Sequence, residues 1–251
     1  MSFEYMTPDA AKDLDATAMV VVRGVPSPWS ESAKGVFHVK NIAWNAVGHS
    51  ANNKDLAAWT GAHNAPAVIR QGEPTLTDWR DILFLAEELS PETPLLPKDQ
   101  PDRDAMLELA QDVLGENGLA WSRRLQIVHV GMQMEGAPLQ HAKYIGGKYG
   151  YDPEQMPKID ARVISVLEKL DTQLAGGSGT YFAGQLTAID IYSAAVMAMF
   201  APLPDEQCPM HPGVRAGFNY LTPNTKNALG SQLIKHRDMI YADHLELPLS
   251  I

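Results

Sequence analysis

The chain has one cysteine, Cys208, in 251 residues, so no internal disulfide framework can hold it together. A lone thiol fits a reducing compartment, and a cytoplasmic location is expected. No apolar run is long enough to span a membrane, so no membrane partner is expected. The segment from Met1 to Ala16 carries Glu4, Asp9, Asp13 and Asp15 in place of the basic start and apolar centre of a secretory leader. Basic charge is scarce: 20 Lys and Arg stand against 30 Asp and Glu, a net charge of −10, which disfavours nucleic acid as a partner. None of the eight histidines forms a close H-x-x-x-H pair and Cys208 has no second thiol, so no metal is expected. The glycine-rich stretch Gly176-Gly177-Ser178-Gly179 follows a helical pattern and precedes no Lys-Ser/Thr pair. It reads as the loop ending a helix, not as a phosphate cradle.

What remains is ordinary globular material, 45% hydrophobic and 20% charged. The length suits one large domain or two small ones, with a sizeable core either way. The most informative segment runs from Val20 to Glu31, where the β-branched stretch Val20-Val21-Val22 breaks at Pro26-Ser27-Pro28. Pro28 falls at a first helical position, where a missing N–H is tolerated, and Ser27 falls at the N-cap. A hydroxyl at the positive end of a helix is a place to hold a thiolate or another anion. A plain cap is the ordinary role of such a serine.

The first third alternates strand and helix. Thr17 to Val25 reads as a buried strand, Pro28 to Ile42 as a helix, and Ala43 to Val47 as a second strand. A short helix over 53–62 follows, then an apolar strand over 64–70 opened by Pro66, a turn at 71–74 and a last short strand at Thr75-Leu76. Asp78 to Leu89 is a helix with Ile82, Leu85, Ala86 and Leu89 on one face. The order is a βαβ unit, a hairpin and a helix. From Ser90 to Pro101 the chain carries Pro91, Pro94, Pro97 and Pro101, which marks a linker. Beyond it, 104–114, 119–134, 157–174, 188–200 and 225–245 read at helical period, the third with a stripe of Ile159, Val163, Val166, Leu167, Leu170 and Leu174. Thr187 and Asp190 are placed to form a capping box, with Leu186 and Ile191 as its hydrophobic staple. Arg123-Arg124 reads first as a solvated helix face and second as a pair facing the cleft. Trp121, Met132 and Met134 read first as core and second as the wall of an apolar pocket.

Three landmarks in this order resemble the glutathione transferase superfamily, from about Thr17 to the end of the chain. Ser27-Pro28-Trp29-Ser30-Glu31 resembles the active-site turn, Asn64-Ala65-Pro66-Ala67-Val68 the stretch with the family's cis-proline, and 181–190 the capping-box segment. The resemblance implies a thioredoxin-like N-terminal domain over 17–89, a linker over 90–101 and an all-helical domain over 102–251. It implies an enzyme with glutathione as co-substrate, activating the thiol for attack on a small apolar electrophile. Ser27 is the implied donor to the sulfur, with Ser30 as its alternative. Pro28, Trp29, Ala65, Pro66, Thr77 and Asp78 are the implied glutathione-binding residues, with Ala65 pairing through its backbone with the cysteinyl unit. A serine forms no mixed disulfide, so thiol–disulfide exchange is disfavoured. Thr77-Asp78 departs from the Glu-Ser or Gln-Ser that the family usually carries at that place. Asp78 reads either as a helix cap or as a partner for the γ-glutamyl ammonium. The resemblance further implies a homodimer and a role in detoxification. It leaves open a non-catalytic binding protein of the same fold, and a glutathione-dependent lyase or isomerase of the β-etherase or dehalogenase type.

Overall fold

The computed structural model describes residues 4–50, 53–177 and 179–251. Strand β1 (Ala18–Val21) is central, parallel to β2 (Asn45–Gly48) and antiparallel to β3 (Ala67–Ile69), in the order β2-β1-β3. Successive side chains of a strand point to opposite faces, and both faces of β1 are covered. Met19 and Val21 enter the main core beneath helices α2 (Pro28–Val39) and α4 (Trp79–Leu89). Ala18 and Val20 enter a smaller cluster with Val47, Leu56 and Ala67. On that second face lie α1 (Pro8–Lys12) and α3 (Lys54–Thr60), through Ala11, Leu56 and Trp59. Burial on both sides is why the strand reads as a continuous apolar run without alternation.

The expected fourth strand at Thr75-Leu76 is reduced to one bridge. Val68 and Leu76 exchange both N–H···O bonds, at 2.8 and 2.9 Å. The segment read as a linker is fastened along its length. Lys40 Nζ donates to Glu87 Oε1 at 2.8 Å and to the Thr93 carbonyl at 2.6 Å, and Glu87 Oε1 also accepts the Leu95 N–H. Leu95 is in the core.

The remainder is helical: α5 (Gln100–Leu114), α6 (Leu119–Gly131), α7 (Gly136–Tyr149), a 3₁₀ turn (Pro153–Gln155), α8 (Met156–Gly177), α9 (Ala188–Met197), α10 (Pro212–Asn219), α11 (Pro223–Ala228) and α12 (Ser231–His244). The stripe expected on α8 is buried from Val163 to Leu174, with Ile159 partly covered at its start. Every residue of α9 is buried, as a helix apolar on all sides must be. It packs on α2, where Gly35 allows the approach: a Cβ there would stand 2.6 Å from Ile191 Cγ2.

Three expectations are corrected here. The helix read over 225–245 is two, because the chain turns at Leu229-Gly230 and α12 starts anew with Gly230 as its N-cap. The helix read to Phe200 stops at Met197. Helices α1, α7 and α10 lie where none was read. In α7, Gly146 and Gly147 weaken any propensity signal, and packing decides: Gly146 sits against Met132 of the α6 C-cap and Val128. In the glycine-rich stretch, Ser178 is outside the described residues, and α8 runs to Gly177.

The segment over 181–190 is organised by one carboxylate. Asp190 is fully buried. Its oxygens accept the Thr187 N–H and hydroxyl, both at 2.8 Å, and the Phe182 N–H at 3.0 Å. His236 Nε2 of α12 lies 3.0 Å away. The expected capping box is therefore also the tie between α9, the preceding loop and α12.

Candidate active-site cleft

The turn from β1 into α2 sets the first wall. Ser27 occupies the N-cap with extended backbone, its carbonyl accepts the Glu31 N–H at 2.8 Å, and its hydroxyl makes no cap bond. Ser30, one turn on, is completely buried, and its Oγ accepts the Val22 N–H at 3.2 Å. That bond holds the end of β1 to α2. Of the two serines, Ser30 has a structural task, while Ser27 stands at the positive helix end without one.

A cavity of about 400 Å³ opens beside this turn. Trp29 lines it from α2, Asn64, Ala65 and Pro66 from the approach to β3, and Thr77 and Asp78 from the start of α4. Leu114, Glu116, Trp121, Lys148 and Tyr149 line it from the helical half. The structure thus brings together five of the residues expected at the site: Trp29, Ala65, Pro66, Thr77 and Asp78. Ser27, Pro28 and Ser30 lie in the buried turn and are not part of the lining. The Ala65–Pro66 peptide bond is cis, as expected. A smaller cavity of about 190 Å³, between α2 and the C-terminal residues, contains none of the expected site residues.

Asp78 is the N-cap of α4, and its Oδ1 accepts the Arg80 N–H at 2.8 Å. The side chain is exposed and lines the cavity, so the cap uses one carboxylate oxygen and leaves the other facing solvent.

On the helical side the wall is aromatic. The Trp29 indole N–H donates to the Leu114 carbonyl at 2.7 Å, joining α2 to the end of α5. Tyr149 stands between two indoles, its ring centroid 5.9 Å from Trp29 and 4.6 Å from Trp121, the latter edge-on. Trp121 faces the cleft, whereas Met134 is exposed and neither it nor Met132 is in the lining.

Arg123 and Arg124 are not a solvated pair. Arg123 is fully buried and donates to the Met199, Phe218 and Tyr220 carbonyls and to Gln126 Oε1. Arg124 is half-buried, its Nε has no hydrogen-bond partner, and its charge acts on Tyr149, Lys148 and His141. Burial, then the Arg124 charge, presses the Lys148 ammonium and the His141 imidazole below their ordinary pKa values. His49, whose Nε2 lies 3.1 Å from the His63 carbonyl, is lowered by burial, with Lys148 adding to it. Of the cavity's charged lining residues Lys148 is basic and Asp78 and Glu116 are acidic, and neither Arg123 nor Arg124 is part of the lining. Lys148 and Tyr149 lay outside the sequence reading because the helix that carries them did.

Among the described residues no group of three His, Cys, Asp or Glu side chains could hold a metal, and no helix is long and apolar enough to cross a membrane.

No protein-family model and no curated protein sequence matches the chain. Solved structures do. The chain superposes on glutathione transferase Omega 3C from Trametes versicolor with a TM-score of 0.60 and 14% identity, over 94% of this chain and 89% of that one. A β-etherase from Sphingobium sp. strain SYK-6 matches at a TM-score of 0.58 and 16% identity, over 85% and 98%. Maleylacetoacetate isomerase from Methylobacterium extorquens AM1, with malonate and glutathione bound, matches at 0.52 and 19%, over 88% and 96%. The chain has the glutathione transferase fold, a thioredoxin-like unit followed by a helical one.

Proposed function

We propose that this protein uses glutathione as co-substrate and activates its thiol for attack on a small electrophile held in the cleft. The supporting observation is the cavity itself, where the start of α2, the Ala65-Pro66 segment and the N-terminus of α4 meet beneath the aromatic wall. In this reading residues 17–89 bind glutathione, and the helical residues from 102 onward supply the acceptor's surroundings, joined through the segment 90–101. The protein works in the cytoplasm as a homodimer.

The chemistry follows from the helix end. A free thiol has a pKa near 8.5, so at neutral pH glutathione is mostly protonated. Ser27, with its hydroxyl at the positive end of α2, donates to the sulfur and favours the thiolate, which is the nucleophile. The carbon–sulfur bond forms as the leaving group departs with its electron pair. Ala65 pairs through its backbone with the cysteinyl unit, and Pro28 and Pro66 shape the two loops that frame it. Trp29 contributes its ring face, since its N–H is already given to Leu114.

Two measurements test the site. Ser27→Ala is expected to raise the bound thiol's pKa by about one unit, the shift that 1.4 kcal/mol of lost thiolate stabilisation gives, and to lower turnover about tenfold at neutral pH. Thiolate absorbance against pH for both forms reads it. An unchanged titration removes Ser27 from the mechanism.

Asp78 is read as the partner of the γ-glutamyl ammonium through the oxygen its cap leaves open. Serine is an equally good cap, so Asp78→Ser should keep stability within about 0.5 kcal/mol while weakening glutathione binding about fivefold, the loss of one exposed charge pair. Glutathione acylated at its amine should bind the wild type equally poorly. Equal binding of free and acylated glutathione leaves Asp78 as a cap alone.

A further inference from the structure

Helix α7 is seated lightly for an element that forms part of the cleft. Of its 14 residues only Ala142 and Gly146 are buried. Both meet α6 and its C-cap at close approach: a Cβ on Gly131 would stand 2.8 Å from the Ala142 Cβ, and one on Gly146 would stand 2.9 Å from Met132 Cε. A helix that buries so little, with Gly146 and Gly147 in its last turn, opens at low cost. Each end rests on a glycine at positive φ, Gly136 at 66° and Gly150 at 68°, with open space where a side chain would stand. Beyond Gly150 the chain is fastened again, since the Tyr151 hydroxyl lies 2.8 Å from His129 Nδ1. Between the two glycines, the end of α7 brings Lys148 and Tyr149 into the cavity lining. The Tyr149 ring stands 4.6 Å from Trp121 of α6 and 5.9 Å from Trp29 of α2. It therefore reaches from the helical half to the helix that starts at Ser27.

We propose that α7 is a lid over the acceptor side of the cleft and that Tyr149 is its latch. With the ring against the two indoles, the helical wall of the cavity is complete. When the ring leaves them, rotation about Gly136 and Gly150 swings the helix end away, and the cavity opens beside Trp121. Glycine at both ends absorbs the backbone change. Ring contacts are weak enough to part without unfolding the chain and directional enough to define one closed state. A shut lid keeps water from the reacting atoms. The inference rests on the glutathione reading only in calling the entering molecule the acceptor; the opening of α7 stands without it.

Amide hydrogen exchange on the ligand-free wild type tests it. The α7 amides over 140–149 are expected to exchange at least about 100-fold faster than those of α8 over 163–174, because they open locally and not with the whole chain. Tyr149→Ala should speed exchange over 140–143, more than a turn from the substitution, by about tenfold, the range for two lost ring contacts. The α8 amides should keep their rate. Tyr149→Phe keeps the ring and should match the wild type. Tyr149→Leu, which keeps bulk without the ring, serves if the alanine variant does not fold. Equal exchange in α7 and α8 of the wild type overturns the lid. An alanine variant whose amides over 140–143 exchange at the wild-type rate overturns the latch. Glutathione titrated into the same wild-type sample separates the two readings: if it does not bind, the glutathione reading fails while the exchange comparison still decides this one.

Discussion

Asp190→Ala is expected to lower the stability of the folded chain by about 3–5 kcal/mol, the range for breaking a buried, fully hydrogen-bonded charge. The carboxylate is enclosed, and it accepts from the Thr187 N–H and hydroxyl and from the Phe182 N–H, with His236 Nε2 3.0 Å away. Truncation leaves those groups in the core without an acceptor. Each unmet buried donor costs about 1–3 kcal/mol, and the removed volume adds a cavity. For a chain of this length each kcal/mol moves the midpoint by about 2–4 °C, so a thermal scan should show a fall of roughly 10 °C. Asp190→Asn keeps the shape and one acceptor oxygen and should fall in between. A loss below about 1 kcal/mol for the alanine variant would mean that water replaces the carboxylate and that the box is a local cap only.

Asp190 also shows how far sequence reasoning reaches. Thr187 and Asp190 stand three apart before an apolar run, so the cap was legible. The bonds to Phe182 and His236 were not, because His236 lies 46 positions further along the chain, a distance that no local pattern encodes. The same division runs through the fold. α2, α4 and α8 were legible because their apolar residues recur at helical period, and β1 and α9 because each is a continuous apolar run, the second opened by its cap. Helix α7 was not, since its glycines oppose it and Met132, Val128 and Tyr151 hold Gly146 in place from outside. The break between α11 and α12 was missed because Leu229-Gly230 sits inside an otherwise continuous helical pattern.

The candidate site divides likewise. Trp29, Ala65, Pro66, Thr77 and Asp78 come from segments whose order carried the resemblance, and the cavity gathers all five. Lys148 and Tyr149 come from the helical half, where period shows which face is apolar but not which polar residue turns inward. Arg123 and Arg124 look alike in the sequence, and only the packing of α6 separates them.

That separation gives the second large effect, expected within one pair of neighbouring residues. Arg123→Leu should destabilise the protein by about 3–5 kcal/mol, because it removes the donors to the Met199, Phe218 and Tyr220 carbonyls and to Gln126 and leaves those acceptors buried. The guanidinium also lies over the Phe200 ring, 5.0 Å from its centroid, a contact that leucine replaces only in part. Arg123→Lys keeps the charge, but an ammonium is a compact point donor and cannot reach acceptors spread over a planar fork. A loss of about 2 kcal/mol or more is expected for it, given one or two acceptors left unmet. Arg124→Gln should be nearly neutral or slightly stabilising, since it removes a half-buried charge with no partner to lose. Urea midpoints of the three variants, at unchanged denaturant slope, place them in the order Arg124→Gln, Arg123→Lys, Arg123→Leu. Equal midpoints for Arg123→Leu and Arg124→Gln would mean that both guanidinium groups are solvated in solution, and that α6 does not present these two neighbours to different surroundings.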